Sequence, residues 1–464
     1  MSPQDTEHSQ HPAAARDTRP VARQILALAV PAFGALLAEP LFLLADTAII
    51  GHLGVAQLGG VGVGTTILHT VTGLMIFLAY STTPAVSRFM GAGNHAAAMD
   101  RGRDGVWLAL LLGAALAVAG WVSAGPLAGL IGAEGAVRDH AVAYLQWSMP
   151  GLPAMLGVLA ATGVLRGLLD TRTPLVVAGV GFGLNIVLNV VLVYGLGLGV
   201  AGSAAGTSIV QWGMLAVYLA VLLPRFRAAG TRLAPSGAGM RATAQVGSWL
   251  LLRTASLRAA ILVTVMAATG LGVATLAAHQ LVFTVYSTLA FALDALAIAA
   301  QALIGRELGA GRRRQARALT GTMIRWSLWF GLITGGVLAG LAWVLPPLFT
   351  PDPAVQAAAT AGLLVLAVSQ PVSGFVFVLD GVLIGAGDAR YLALAGVVNL
   401  AVYLPALAGL AWLAAGVTTG AAAPGAGWQV ALLWTGFAGI FMGARALTLG
   451  LRARTDAWMR TGEH

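Results

Sequence analysis

The sequence predicts an all-α polytopic membrane protein, with twelve transmembrane helices arranged as two six-helix lobes around a central cavity. The first observation is composition: 58% of the residues are hydrophobic, 9% are charged, and the mean hydropathy is +0.84. A soluble domain does not have this composition. The 61 glycines fit the same class, because small residues let membrane helices pack closely. The other two observations are a series of apolar stretches and an internal repeat.

The apolar stretches follow one another along almost the whole chain. Each is about 20 residues or longer, which is the length a helix needs to cross a bilayer. The preceding residues 1–20 are polar and lack the apolar core of a signal peptide, so we expect a disordered tail there. The predicted spans are 21–50, 58–86, 105–124, 140–162, 174–194, 200–223, 245–269, 276–304, 320–345, 357–384, 391–413 and 428–449.

Arginine is concentrated in alternate connections between these spans. The connections on the opposite side contain a single arginine, Arg138. Basic connections stay in the cytoplasm, so we expect both termini to be cytoplasmic in a multi-pass protein of a bacterial cytoplasmic (plasma) membrane. This topology also accounts for the basic run 312–314, and without interleaved aromatic residues that run does not indicate a nucleic-acid partner.

An internal repeat with one offset of 218 residues recurs at three places. Residues 53–58 return as 271–276, Arg88 with Gly91 returns as Arg306 with Gly309, and 163–172 returns as 381–390. Six spans per repeat is an even number, so the repeats are parallel and related by a pseudo-two-fold axis along the membrane normal. The predicted division is a cytoplasmic tail 1–20, an N-terminal lobe 21–223, a cytoplasmic linker 224–244, a C-terminal lobe 245–450 and a cytoplasmic tail 451–464.

Two carboxylates interrupt the first apolar span. Glu39 and Asp46 lie seven residues apart, almost two helical turns, and therefore share one helix face. A charge facing lipid costs several kcal/mol, so we expect this face to point inward. Pro31 and Pro40 each remove a backbone hydrogen bond and permit a bend beside the acids. The pattern predicts a bendable helix with a buried acid.

Polar residues also occur in later spans. Asn185 and Asn189 are spaced i and i+4, so their amide oxygens can reach one site; interhelical hydrogen bonding explains them equally well. Asp294 shares a helix face with Phe283 and Ser287, which makes these three candidate contacts for a cationic substrate. The alternative is that Asp294 pairs with an arginine of the preceding span, Arg253 or Arg258.

Several segments together resemble one family of transporters. Each segment alone is short, but the set extends over nearly the whole chain after the tail. The segments are 45–47 (ADT) with 51–54 (GHLG), 163–172 (GVLRGLLDTR), 185–189 (NIVLN) with 199–202 (GVAG), 276–280 (LAAHQ) and 380–381 (DG).

The chain resembles the multidrug and toxic compound extrusion (MATE) transporters, and most closely their DinF-like branch. The resemblance implies a twelve-helix antiporter that expels amphipathic, often cationic compounds in exchange for protons or sodium. It also implies a first helix that bends at Pro31 and a coupling site of Asp46, Asn185, Asn189 and Thr207. Many relatives have aspartate where this chain has Asn189, and the missing carboxylate favours protons over sodium. Because burial favours a neutral carboxylate, we expect Asp46 to carry the proton, with Glu39 nearby.

Other functions are less compatible with the sequence. An intramembrane enzyme needs a nucleophile with a base or a metal pair, and no such motif, for example HExxH, is present. We therefore expect no catalytic residues, no metal and no cofactor beyond the coupling ion. A lipid or lipid-linked precursor flippase of the same wider superfamily is the nearer alternative, and a low number of buried arginines argues against it. The expected partners are small amphipathic or cationic substrates and membrane lipids, with the transporter acting as a monomer.

Overall fold

A computed structural model describes residues 20–416 and 425–462. These residues form twelve helices that are long and apolar enough to cross a membrane, as the sequence predicts. The predicted N-terminal tail, apart from Pro20, lies outside the described residues. A short helix, Leu345–Phe349, lies between the ninth and tenth long helices. The long helices are α1 Val21–Gly51, α2 Val55–Gly91, α3 His95–Leu130, α4 Gly135–Gly167, α5 Arg172–Gly195, α6 Gly199–Ala228, α7 Gly237–Leu271, α8 Val273–Gly309, α9 Arg313–Leu341, α10 Pro353–Gly385, α11 Ala389–Ala415 and α12 Ala426–Arg454.

Most helices extend beyond the apolar stretches that predict them. The linker expected at 224–244 shows the difference: α6 continues through Pro224 to Ala228, and α7 already begins at Gly237. Ser236 caps α7 by accepting a hydrogen bond from the backbone N–H of Gly239 at 3.3 Å. The irregular connection is therefore confined to residues 229–236, because the helical hydrogen bonds continue where the side chains become polar.

The internal repeat is also visible in the structure, in the turn that precedes the second long helix of each half. Gly54 precedes α2 with φ of 140°, and Gly272 precedes α8 with φ of 122°. The two positions differ by the same 218 residues as the sequence repeat. A residue with a Cβ rarely adopts such φ values, so each half needs glycine at this sharp reversal.

The two lobes touch where α2 and α8 end, at the arginine-rich end of the helices. A Cβ added to Gly91 would lie 2.0 Å from the carbonyl oxygen of Arg306, and one added to Gly309 would lie 2.0 Å from that of Arg88. The contact is reciprocal: Gly91 meets the Arg306 backbone and Gly309 meets the Arg88 backbone, and these two arginines are equivalent in the repeat. The lobes are thus closed together at this end through direct backbone contact.

The C-terminal segment packs against the same end. Trp458 and Met459 are only 2% and 4% exposed. The buried guanidinium of Arg88 donates hydrogen bonds to the carbonyl oxygens of Ala386 at 2.6 Å and Arg460 at 2.7 Å, and to that of Gly462 at 3.2 Å. Residues 451–464 were expected to form a tail. In the structure α12 runs to Arg454. The described residues after it are fixed in place because the carbonyl groups of Arg460 and Gly462 accept hydrogen bonds from Arg88 of the N-terminal lobe.

Candidate functional site

The acid predicted to matter most, Asp46, lies in a buried polar cluster between α1, α5 and α6. Its side chain is 5% exposed. Its Oδ1 accepts a hydrogen bond from Asn189 Nδ2 at 2.6 Å and another from Ser203 Oγ at 2.8 Å. Both neighbours therefore act as donors toward one carboxylate oxygen, an arrangement that suits an ionised acid.

The other predicted members lie in the same cluster. Asn185 Nδ2 donates to Thr207 Oγ1 at 3.2 Å. The side-chain oxygens of Asn185 and Asn189 are buried without a hydrogen-bond partner among the described residues, and such groups are uncommon in folded proteins. We call Asp46, Asn185, Asn189, Ser203 and Thr207 the Asp46 cluster. Its two free amide oxygens are available to a small cation or a water molecule.

Ser203 is the member that sequence reasoning missed. It lies four residues before Thr207 on α6, so the two side chains share one helix face. The spacing was readable, but serine is frequent on membrane helices and nothing in the sequence distinguishes this one. Only the approach of α6 to α1 places its hydroxyl on Asp46.

Glu39 is not part of the Asp46 cluster. Its side chain is 51% exposed, and its carboxylate lies 3.7 Å from Nδ1 of His69 on α2. The shared helix face was the basis for placing the two acids together. Seven residues also separate them by about 10 Å along the axis, and at that distance the two acids have different neighbours. Glu39 therefore lies near His69, apart from the buried surroundings of Asp46 on the same helix.

The prolines of α1 lie within an uninterrupted helix, from Val21 to Gly51. Pro31 has no N–H to donate to the carbonyl of Ala27, four residues earlier. Thr171, buried in the connection between α4 and α5, places its hydroxyl 3.4 Å from that oxygen. The carbonyl group that Pro31 leaves without its helical donor is thus within reach of a hydroxyl from the connection between α4 and α5. Pro40 lies between Glu39 and Asp46 on the same helix.

A second polar cluster crosses between the lobes. The hydroxyl of Tyr80 on α2 donates to Asp294 Oδ2 on α8 at 3.4 Å. Beside it, Arg253 Nε donates to Asp380 Oδ1 at 3.1 Å, and Arg253 Nη2 donates to Oδ2 of the same acid. Arg445 Nη2 lies 3.5 Å from Asp380. Arg253 thus hydrogen-bonds to Asp380, whereas Asp294 receives its hydrogen bond from a tyrosine of the opposite lobe. The positive charges of Arg166 and Arg253 also act on Asp294 from nearby.

The three predicted substrate contacts do not form one group in this structure. Phe283 stacks in an aromatic cluster, with its ring centroid 6.1 Å from that of His279 and 5.9 Å from that of Tyr286. Ser287 is half-buried. Asp294 lies eleven residues beyond Phe283 on α8, about 16 Å along the helix axis. The three residues therefore have separate surroundings along α8.

Comparison with known proteins identifies the family. A family model for MatE proteins matches residues 31–191 and 255–407, well over half of the chain. The chain belongs to the MATE family. It is therefore a multi-pass membrane transporter, and the resemblance found in the sequence is confirmed. Catalysis is not part of what this family does.

Individual relatives agree with this assignment. DETOXIFICATION 44, a chloroplastic protein of Arabidopsis thaliana, is 30% identical over 458 residues, covering 94% of this chain and 84% of that protein. DNA damage-inducible protein F of Escherichia coli K12 is 30% identical over 397 residues, covering 83% of this chain and 85% of that protein. This match supports the DinF-like branch.

Solved structures show the same fold. The bent form of the Vibrio cholerae MATE transporter VcmN superposes with a TM-score of 0.83 at 23% identity, covering 94% of this chain and 98% of that one. The eukaryotic MATE transporter AtDTX14 gives a TM-score of 0.79 at 19% identity, covering 95% and 97%. The twelve helices of this MATE protein thus adopt the family's fold.

Proposed function

We propose that this MATE transporter is a secondary active multidrug efflux antiporter. It exports amphipathic, often cationic compounds in exchange for protons by alternating access. It works as a monomer in a bacterial cytoplasmic membrane, with both termini in the cytoplasm. The observation that carries the proposal is Asp46, an acid that is 5% exposed and held by two donors inside the N-terminal lobe.

Protonation of Asp46 changes what holds α1 in place. The ionised carboxylate accepts charge-assisted hydrogen bonds from Asn189 on α5 and Ser203 on α6, and such bonds are about twice as strong as neutral ones. A proton on the acid weakens both. The Pro31-containing helix α1 then has less reason to stay against α5 and α6, and it repacks toward the cavity. This repacking is the proposed step that expels substrate.

The closed end, where Gly91 and Gly309 each meet the backbone of the other lobe, supports a central cavity that opens at the opposite end of the molecule. With the arginine-rich end in the cytoplasm, this conformation faces outward. Asp294, at the boundary of the lobes, is half-buried and carries the charge suited to a cationic substrate. Phe283 and Ser287, on the same helix toward the outside, remain proposed contacts for the apolar and polar parts of that substrate.

Sodium is the competing coupling ion. The unpartnered oxygens of Asn185 and Asn189 are ligands that a hard cation accepts. The cluster contains a single carboxylate, however, and among the described residues no group of three His, Cys, Asp or Glu gathers anywhere to hold a metal ion. A single buried acid suffices for a proton, so the proton is the proposed ion.

The experiment is efflux from proteoliposomes under one imposed gradient at a time. We expect ethidium transport to follow a proton gradient and to ignore a sodium gradient. Asp46→Asn should abolish coupled transport and should bind ethidium at every pH with the low affinity of the protonated state, because asparagine resembles the protonated acid. Glu39→Gln, which removes a charge from the same helix outside the cluster, is the matched control and should retain most of the activity. Transport driven by sodium alone, or normal transport by Asp46→Asn, would contradict proton coupling.

A flippase function is the second candidate, and one observation favours it. The sequence argument counted few buried arginines, but among the described residues five arginines are buried: Arg88, Arg103, Arg166, Arg253 and Arg445. That argument was therefore wrong. If the reconstituted protein leaves ethidium untouched and instead moves a fluorescent anionic lipid between leaflets, the flippase function replaces multidrug efflux.

A further inference from the structure

The two repeats treat one pair of equivalent arginines differently. Arg88 and Arg306 differ by the repeat offset of 218 residues, and each presents its carbonyl oxygen to a glycine of the other lobe. The two terminal nitrogens of the Arg88 guanidinium donate to three backbone carbonyl groups. The Arg306 side chain makes no hydrogen bond or ion pair within residues 20–416 and 425–462. The repeat therefore leaves one guanidinium without the acceptors that its counterpart has.

Arg306 instead lines a cavity of about 370 Å³ at the arginine-rich end. The cavity lies at the seam where the start of α1 meets α8 and α9. Val21 and Gln24 of the N-terminal lobe form one wall, and Leu303, Arg306 and Arg312 belong to the wall of the C-terminal lobe. Apolar side chains and guanidinium groups thus occur together in one space at the ends of membrane helices.

The charge of this space is positive. Glu307 is the one acid in its lining, and its Oε2 lies 2.9 Å from Arg312 Nε, without the alignment of a hydrogen bond. The lining thus contains two guanidinium groups and one carboxylate, and the neighbouring Arg313 and Arg314 are exposed beside it. An anion with several acceptor oxygens would supply what Arg306 lacks.

We propose that this cavity binds the phosphate of an anionic phospholipid. Basic pockets between transmembrane helices on the cytoplasmic side suit such headgroups. The apolar wall, with Val21 and Leu303, receives the start of an acyl chain, which a soluble phosphate does not possess. The cavity's position in the cytoplasmic leaflet rests on the orientation given under the proposed function. Lipid binding can be measured without transport. A failure of the lipid-binding proposal can therefore be distinguished from a failure of the efflux proposal.

Such a lipid also acts on conformation. Its site is built from both lobes, and it exists only while α1 lies against α8 and α9. A ligand that binds one conformation better shifts the population toward it. Bound lipid therefore favours the state that is closed at the arginine-rich end, in the same way that the C-terminal segment does around Arg88.

The test counts bound lipids by native mass spectrometry of the detergent-purified full chain. Phosphatidylglycerol and phosphatidylcholine are titrated in parallel, and we expect about tenfold tighter binding of the anionic lipid at one site. The double variant Arg306→Gln with Arg312→Gln should lose this preference. Arg313→Gln with Arg314→Gln removes the same charge from residues outside the cavity lining and should keep most of it.

Two results would overturn the proposal. Equal loss in both double variants would show that only diffuse surface charge attracts the lipid. Inorganic phosphate that displaces phosphatidylglycerol at equal concentration would show a soluble-anion site instead. The single variant Arg306→Lys keeps the charge and guards against misfolding: it should retain partial preference, and a melting temperature equal to that of the native protein in phosphatidylcholine verifies each variant.

Discussion

Replacing Gly309 by alanine should open the lobes at the arginine-rich end. The new Cβ would lie 2.0 Å from the carbonyl oxygen of Arg88, and real Cβ atoms essentially never come closer than 3.0 Å to a neighbour. The obstacle is backbone, so no rotamer change relieves it. The crossing of α2 and α8 must therefore widen by about 1 Å, or the closed state must become less populated.

The expected size follows from the cost of overpacking. Extra methyl groups forced into tight contacts cost about 1–3 kcal/mol, which changes a two-state ratio by about 5- to 150-fold. We expect the closed state to lose population by a factor in this range. The protein should remain folded, because the strain is relieved when the lobes separate.

The assay is the distance between spin labels on the two lobes. The chain has no cysteine, so cysteines placed at the exposed positions 96 and 314 carry the only labels. In nanodiscs, Gly309→Ala should add a longer-distance population. Gly321→Ala on α9, where a new Cβ meets nothing within 4 Å, is the control and should leave the distances unchanged. An unchanged distribution with Gly309→Ala would show that the lobes do not meet through their backbones.

Three further predictions concern buried polar contacts. Asp380→Asn leaves Arg253 buried without its partner carboxylate and should destabilise the protein by about 3–5 kcal/mol, measured as a loss of melting temperature; unchanged melting would mean that water already solvates this pair. Thr171→Val removes the donor to the Ala27 carbonyl and should cost about 0.5–1.5 kcal/mol, together with a changed transport rate if α1 moves; equal stability and equal transport would dismiss the contact. Substrate affinity should fall as pH is lowered, because a proton on Asp46 and substrate oppose each other with one reciprocal factor, and Asp46→Asn should bind substrate independently of pH; a native protein with pH-independent affinity would refute the linkage.

The fold could be predicted because its causes are written along the chain. Apolar length specifies each membrane helix, and a single repeat offset predicts the two lobes. The same offset had already paired Arg88 and Gly91 with Arg306 and Gly309. It did not show that the pairs touch each other, because a repeat relates residues by symmetry and says nothing of the distance between the halves.

The site could be predicted only in part. Spacing along one helix correctly grouped Asn185 with Asn189. The same reasoning grouped Glu39 with Asp46, but in the structure these two acids have different neighbours. Residues on neighbouring helices determine what each side chain contacts. Nothing in the sequence around Ser203 or Tyr80 indicates that they bind Asp46 and Asp294. Periodicity therefore identifies which side of a helix is polar, while the neighbouring helix determines what that side binds.

The reciprocal crossing at Gly91 and Gly309 also bears on how a duplicated gene evolves. Each half supplies the small residue that lets the backbone of the other approach. A side chain gained by one copy would separate both, so the two copies are constrained jointly at these positions while they diverge elsewhere. Chimaeras that join the first half of this chain to the second half of a relative should therefore assemble only when the relative also has glycine at the position equivalent to Gly309.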